Sequence, residues 1–335
     1  MRLVKQLVAA GAGLVVALAL GALPAAVAAA PAAAPQQVTI TATEYAFDAP
    51  VQVDAGPVAV TYQNNGKASH NLKVWQLKEG KTLDDVKAAR TADALFALVA
   101  AAYGGMSMTQ PGASQHAVLD LPAGQLVLLS ATRSTADGVP DFFKGLLRPI
   151  TVVARPGGGA VDLPQADVAI SLKDSGIGVP VGLGAGAHTV KVTNDGAQLH
   201  QAIILKLRPG KTAADFATAF KANQTGSVVD PAGANGGTGD LSPGQHEWIT
   251  ATFAPGDYVA FDDAGTSSFR DVPFPFTVSP AQVAQVVPSR MPGTGGGAAS
   301  EAAPATLLLL AVLLLALGAL RVVQRRAMGR GGLPD

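Results

Sequence analysis

His70 and His200 occupy the same place in two similar stretches of the chain. Each stands four residues after the glycine of an Asn-x-Gly turn, Asn64-Asn65-Gly66 and Asn194-Asp195-Gly196. An imidazole in such a place can ligate a metal ion, or it can hydrogen-bond a neighbouring loop and pin it. Recurrence shows shared ancestry and fits both roles. Met106-Ser107-Met108 is a second candidate. Thioethers are soft donors suited to Cu(I), and His70 or His116 completes such a site if the loop folds over that end. The second stretch has Thr238-Gly239-Asp240 there, so the methionine pair is not part of the repeated pattern. His116, His188 and His246 are scattered and read as surface or strand residues. Asp257, Asp262 and Asp263 read as a solvated acidic rim, because calcium wants more oxygen ligands around one tight loop. Trp75 and Trp248 read as core or sheet-edge aromatics.

Other chemistry is excluded or unsupported. The chain has no cysteine. That removes disulfides, thiolate zinc sites, iron–sulfur clusters, cysteine nucleophiles and the thiolate of a blue-copper centre. There is no G-x-S-x-G, H-E-x-x-H or G-x-x-x-x-G-K-[ST]. Glutamates are few (Glu44, Glu79, Glu247, Glu301), with no pair placed for acid–base work. The expectation is that the chain is not an enzyme and holds no cofactor, with copper as the alternative. Lys plus Arg number 24 against 24 Asp plus Glu. Without a basic footprint, nucleic acid is not an expected partner.

The elements that must position these residues begin with the two ends. Arg2 and Lys5, the apolar run Leu7–Leu23 and a small-residue stretch to Ala34 have the order of a secretory signal peptide over 1–34. From Ala305 to Leu320 there is no charge, and Arg321, Arg325, Arg326 and Arg330 follow. With Arg321 snorkelling, residues 305–323 can span a membrane, and the arginines keep the tail 324–335 in the cytoplasm. Residues 281–304 read as a Gly/Pro/Ala-rich stalk. Met291-Pro292-Gly293-Thr294-Gly295 before the span resembles the L-P-x-T-G of cell-wall sorting signals, with Met291 in place of Leu. That resemblance implies a sortase and the cell wall as partners, and cleavage between Thr294 and Gly295; a plain juxtamembrane linker is the other reading. Both readings tether the body at the cell surface, outside the cytoplasm, on a single membrane span.

The body is duplicated. The stretch from Val38 aligns without a gap to the stretch from Val168, matching Pro50 with Pro180, Asn64 with Asn194, Gly66 with Gly196, His70 with His200 and Asp85 with Asp215. Later halves match with small length changes: Gly104-Gly105 with Gly236-Gly237, Pro111-Gly112 with Pro243-Gly244, Gly124 with Gly256. Arg155-Pro156-Gly157-Gly158-Gly159 between the copies reads as a hinge. Each copy alternates as strands do over Val38–Ala42, Val58–Tyr62 and His70–Leu77. A helical insertion follows, with capping-box spacing at Thr82/Asp85 and Thr212/Asp215 and Phe216 and Phe220 on one helix face. Gly-Gly loops then lead to later strands, Ala117–Leu121, Leu126–Leu129 and Pro149–Val153, and Glu247–Phe253, Tyr258–Phe261 and Phe274–Val278.

An opening V-x-I strand, N-x-G with His four residues on, and the late strand Pro255-Gly256-Asp257-Tyr258-Val259 together resemble cupredoxin-like domains, the blue-copper-related family. The resemblance implies an all-β chain of two tandem Greek-key sandwiches, 36–155 and 165–280, each with a short helical insertion, plus the C-terminal transmembrane helix. In copper-binding members a first His follows the N-x-G turn, where His70 and His200 stand. A Cys, a second His and usually a Met come from the loop after the late strand. Here those loops, Ser130 to Leu147 and Asp262 to Pro273, contain none of the three. The resemblance carries the fold and leaves two orphan histidines. The expected function is a non-catalytic surface module that binds an unidentified extracellular ligand or serves structurally. The alternative is Cu(I) or other metal handling through His70, Met106, Met108, His116 and His200.

Overall fold

A computed structural model of the chain describes residues 32–133, 137–264 and 272–281. Most of the expected signal peptide, nearly all of the stalk, the transmembrane helix, the tail and the sorting motif lie outside those residues. Among the described residues no helix is long and apolar enough to cross a membrane.

The first copy runs β1 (Gln36–Ala42), β2 (Phe47–Asp48), β3 (Gln52–Asp54), β4 (Gly56–Asn64), β5 (His70–Leu77), α1 (Leu83–Ala88), α2 (Ala92–Phe96), β6 (Val99–Thr109), β7 (Ser114–Leu121), β8 (Gly124–Leu129), α3 (Asp141–Lys144) and β9 (Leu147–Val153). The second runs β10 (Val168–Lys173), β11 (Gly176–Gly178), β12 (Gly186–Asn194), β13 (Ile203–Leu207), α4 (Ala213–Lys221), β14 (Val229–Leu241), β15 (His246–Phe253), β16 (Gly256–Phe261) and β17 (Phe274–Val278). Alternation sets the faces: Val38, Ile40 and Ala42 of β1 and Val58, Val60 and Tyr62 of β4 are buried, with more exposed residues between them.

Two sheets form, in the orders β11-β10-β12-β15-β7-β4-β1-β2 and β17-β16-β13-β14-β6-β5-β8-β9-β3. When each second-copy strand is replaced by its counterpart, both orders read the same from either end, apart from β3. The copies therefore meet about a pseudo-twofold axis. Val60 faces Ala117 in one copy and Val190 faces Ile249 in the other, so Ala117 and Ile249 are equivalent. They also face each other where β7 meets β15. Lys73 faces Gly105 as Ile203 faces Gly237, which makes Met106 equivalent to Thr238. These two oppose each other where β6 meets β14. The axis passes through both pairs, and one apolar core fed by both sheets runs through both copies.

This arrangement differs from the sequence reading in two places. Gly104-Gly105 and Gly236-Gly237 are not loops but lie inside the long strands β6 and β14, which short apolar runs did not announce. The Arg155–Gly159 segment is no free hinge. Arg155 donates to the carbonyls of Ala55 (3.1 Å) and Pro57 (2.9 Å), and two strand pairings join the bodies it links.

The helices cover the outer face of the second sheet. Thr82 and Thr212 cap α1 and α4 in capping boxes closed by Asp85 and Asp215. Trp75, Val86, Leu95 and Phe142 pack together in the first copy. In the second, Phe216 and Phe220 stack with ring centroids 5.8 Å apart, and both rings contact Phe261.

Candidate functional site

The N-x-G turn is built identically in both copies. Asn64 is buried; its Nδ2 donates to the carbonyls of Ala68 and Thr109, both at 2.8 Å, and its Oδ1 accepts from Gly66. Asn194 does the same with Gln198, Leu241 and Gly196. The turn delivers His70 and His200 into the sandwich interior, each with 0% of its surface exposed.

Each imidazole meets a carboxylate. His70 Nδ1 lies 2.8 Å from Asp141 Oδ2, which also accepts from Ser130 Oγ at 2.9 Å. His200 Nδ1 lies 2.7 Å from Asp262 Oδ2. A carboxylate only accepts, so Nδ1 carries the proton in both pairs. Ser130 and Asp262 are equivalent, each following the late strand directly, β8 or β16. In the second copy the first loop residue thus reaches the histidine itself. In the first copy that residue is a serine, and α3 brings Asp141 instead.

The second ring nitrogens differ. His200 Nε2 lies 2.9 Å from Asp174 Oδ1, and Asp174 accepts from the amides of Ala197 and Gln198. The hydrogen bond from His200, then the amides, holds the Asp174 carboxyl below the usual range. Its counterpart Glu44, one methylene longer, accepts from the Lys67 amide at 2.5 Å. His70 Nε2 is buried without a hydrogen-bond partner. A Cβ on Gly66 would stand 2.8 Å from it, so only glycine fits the turn there.

The five metal candidates of the sequence do not converge. Met106 is 1% exposed in the shared core, whereas Met108 is half exposed. His116 Nδ1 is 3.1 Å from Thr61 Oγ1. Met108 and His116 do line one cleft, at the junction of the copies. His70 and His200 sit in separate sandwiches. Among the described residues no group of three or more His, Asp or Glu is placed to hold a metal ion. Sequence reasoning missed the aspartates. Asp262, read as part of a solvated rim, is fully buried. Its position directly after the late strand was the available signal.

A buried polar tie crosses the junction as well. Lys73 Nζ bonds Asp240 Oδ1 at 2.5 Å and Gln201 Oε1 at 3.0 Å, and Trp75 Nε1 donates to Asp240 Oδ2 at 3.0 Å. Glu247 Oε2 accepts from the Gly105 amide of the other copy at 2.9 Å.

No family model and no curated protein matches the chain. Solved structures are similar to it. Auracyanin from Roseiflexus castenholzii is 23% identical over 36% of this chain and 98% of its own, with a TM-score of 0.25. A multicopper oxidase is 13% identical over 74% and 88%, with a TM-score of 0.21. Copper nitrite reductase from Nitrosomonas europaea is 12% identical over 72% and 93%, with a TM-score of 0.23. What the described residues themselves show is a mainly β body of two repeated halves with matching strand orders. Against the expectation that the chain is not an enzyme stand two of these similar structures, which are enzymes.

Proposed function

We propose that this chain is an extracytoplasmic binding protein, held at the cell surface by its C-terminus, whose two cupredoxin-like sandwiches carry histidine–carboxylate pairs in place of type-1 copper centres. One observation carries the reading: Nδ1 of both His70 and His200 faces an aspartate oxygen, at 2.8 and 2.7 Å, from the loop in which the resemblance expects a thiolate. With no cysteine in the chain and no His or Met in either loop, the donor set does not fit type-1 copper. The surface location is supported by the order of signal peptide, body, stalk, apolar run and arginines.

Copper loading tests this. The full chain is incubated with Cu(II), and with Cu(I) under reductant, then dialysed, and bound copper and the visible spectrum are measured. The expected result is no intense thiolate-to-copper band, and equal copper content in wild type, His70→Phe and His200→Phe. One copper per chain that is lost in either variant would overturn the reading.

A further inference from the structure

The pseudo-twofold axis makes every residue at the junction comparable with a counterpart, and the two sides have diverged. On one side Glu247, Trp248, Val118 and Leu119 are buried, and Asp240 is held by Lys73 and Trp75. The registers make their counterparts Gln115, His116, Thr250, Ala251 and Met108. His116, Thr250 and Ala251 are smaller or more polar than Trp248, Val118 and Leu119, and all five but Ala251 are more exposed than their counterparts; Met108 is 50% exposed where Asp240 is 0%. The first side is filled. The second leaves a cleft of ≈ 340 Å3.

We propose that this cleft between β6–β7 of the first copy and β14–β15 of the second is a binding site for a small, uncharged, hydroxyl-rich molecule such as a mono- or disaccharide. The proposal rests on the reading of the chain as a binding protein and gives that reading a place and a ligand class. The volume lies at the lower end of small-molecule sites. No Asp, Glu, Lys or Arg lines the cleft. A charged ligand would lose its hydration there without gaining a counter-charge. Ser114, Thr250, Thr252 and the Gln110 carboxamide offer groups that both donate and accept, as sugar hydroxyls do, and Gln115 adds its Oε1 as an acceptor. The Met108 thioether supplies apolar surface for C–H groups. Gln115 is pre-set: its Nε2 donates to Thr109 Oγ1 at 2.6 Å and to the Ser107 carbonyl at 3.2 Å.

Titration calorimetry of the full chain with glucose, maltose, glucuronate, glucosamine and Ag(I) decides the matter. The expected result is saturable heat with glucose or maltose and affinity at least about tenfold weaker for the charged sugars. Thr250→Val with Ala251→Leu copies the filled side into the cleft. It is expected to lower the neutral-sugar affinity by about tenfold or more while leaving the thermal midpoint within about two degrees of wild type. Absence of heat with both neutral sugars overturns the proposal. So does unchanged binding in a folded double variant, or Ag(I) binding one to one in their stead, which would give the cleft to Met108 and His116 as soft donors. Copper bound through His70 or His200 would overturn the broader reading and leave this result standing.

Discussion

Glu247 shows how much one side chain depends on the other copy. Its carboxyl is wholly buried beside Gly104 and Gly105, one oxygen accepts from the Gly105 amide, and Oε1 has no partner. Burial pushes its pKa well above the ordinary 4.5; the Gly105 amide works the other way, and the charge of Asp240 adds to the rise. A folded-state pKa above the unfolded one means the folded chain holds a proton that the unfolded chain releases as pH rises. This contribution is fully present below about pH 4.5 and is lost progressively as pH climbs through the raised value. Glu247→Gln, the residue found at the equivalent position 115, abolishes that titration. Urea melts at steps between pH 5 and pH 8 should show wild type losing stability relative to the variant, by at most about 1.4 kcal/mol per pH unit. Parallel stability curves for the two proteins would contradict the assignment.

At the scale of the element, the Gly-Gly pair in β6 and β14 is what lets two sheets close on two copies. Gly104 and Gly105 have φ of +87° and +132°, and Gly236 and Gly237 +91° and +148°. L side chains rarely adopt such backbone. Space is lacking too: a Cβ on Gly105 would land on the carbonyl of Leu72, one on Gly237 on that of Ala202, and one on Gly104 on the carboxyl of Glu247. Each pair bends its strand and clears room for the Gln or Glu arriving from the facing sheet of the other copy. Gly105→Ala should therefore cost about 2 kcal/mol or more of stability. The control is Gly159→Ala in the linker, where a Cβ meets nothing within 4 Å. If both substitutions shifted the urea midpoint equally, the bend would not be the reason for the glycines.

At the scale of the whole molecule, each copy is one half of a body with continuous sheets and a common core. Cutting between them would expose the unpaired edges of β6, β7, β14 and β15 and part of that core. The chain should thus unfold as one cooperative unit. Its two tryptophans report one copy each, Trp75 from β5 and Trp248 from β15. Trp75→Phe and Trp248→Phe leave one reporter apiece. Within each variant, fluorescence and far-UV circular dichroism should give coincident urea transitions. A fluorescence midpoint separated from the circular dichroism midpoint in either variant would mean that the halves melt independently.

Periodicity and repetition were enough to read the duplication, most strands, both capping boxes and the twin histidines, because alternation, turn chemistry and caps are local along the chain. The same local reading turned the bent centres of β6 and β14 into loops, since two glycines carry no apolar pattern, and it placed Asp262 in solvent. The partners of His70 and His200, the axis through Ala117 and Ile249, and the difference between the filled and the open side of the junction belong to tertiary structure alone. Each joins residues remote in the chain, and nothing in a single stretch of sequence states which distant strand lies opposite.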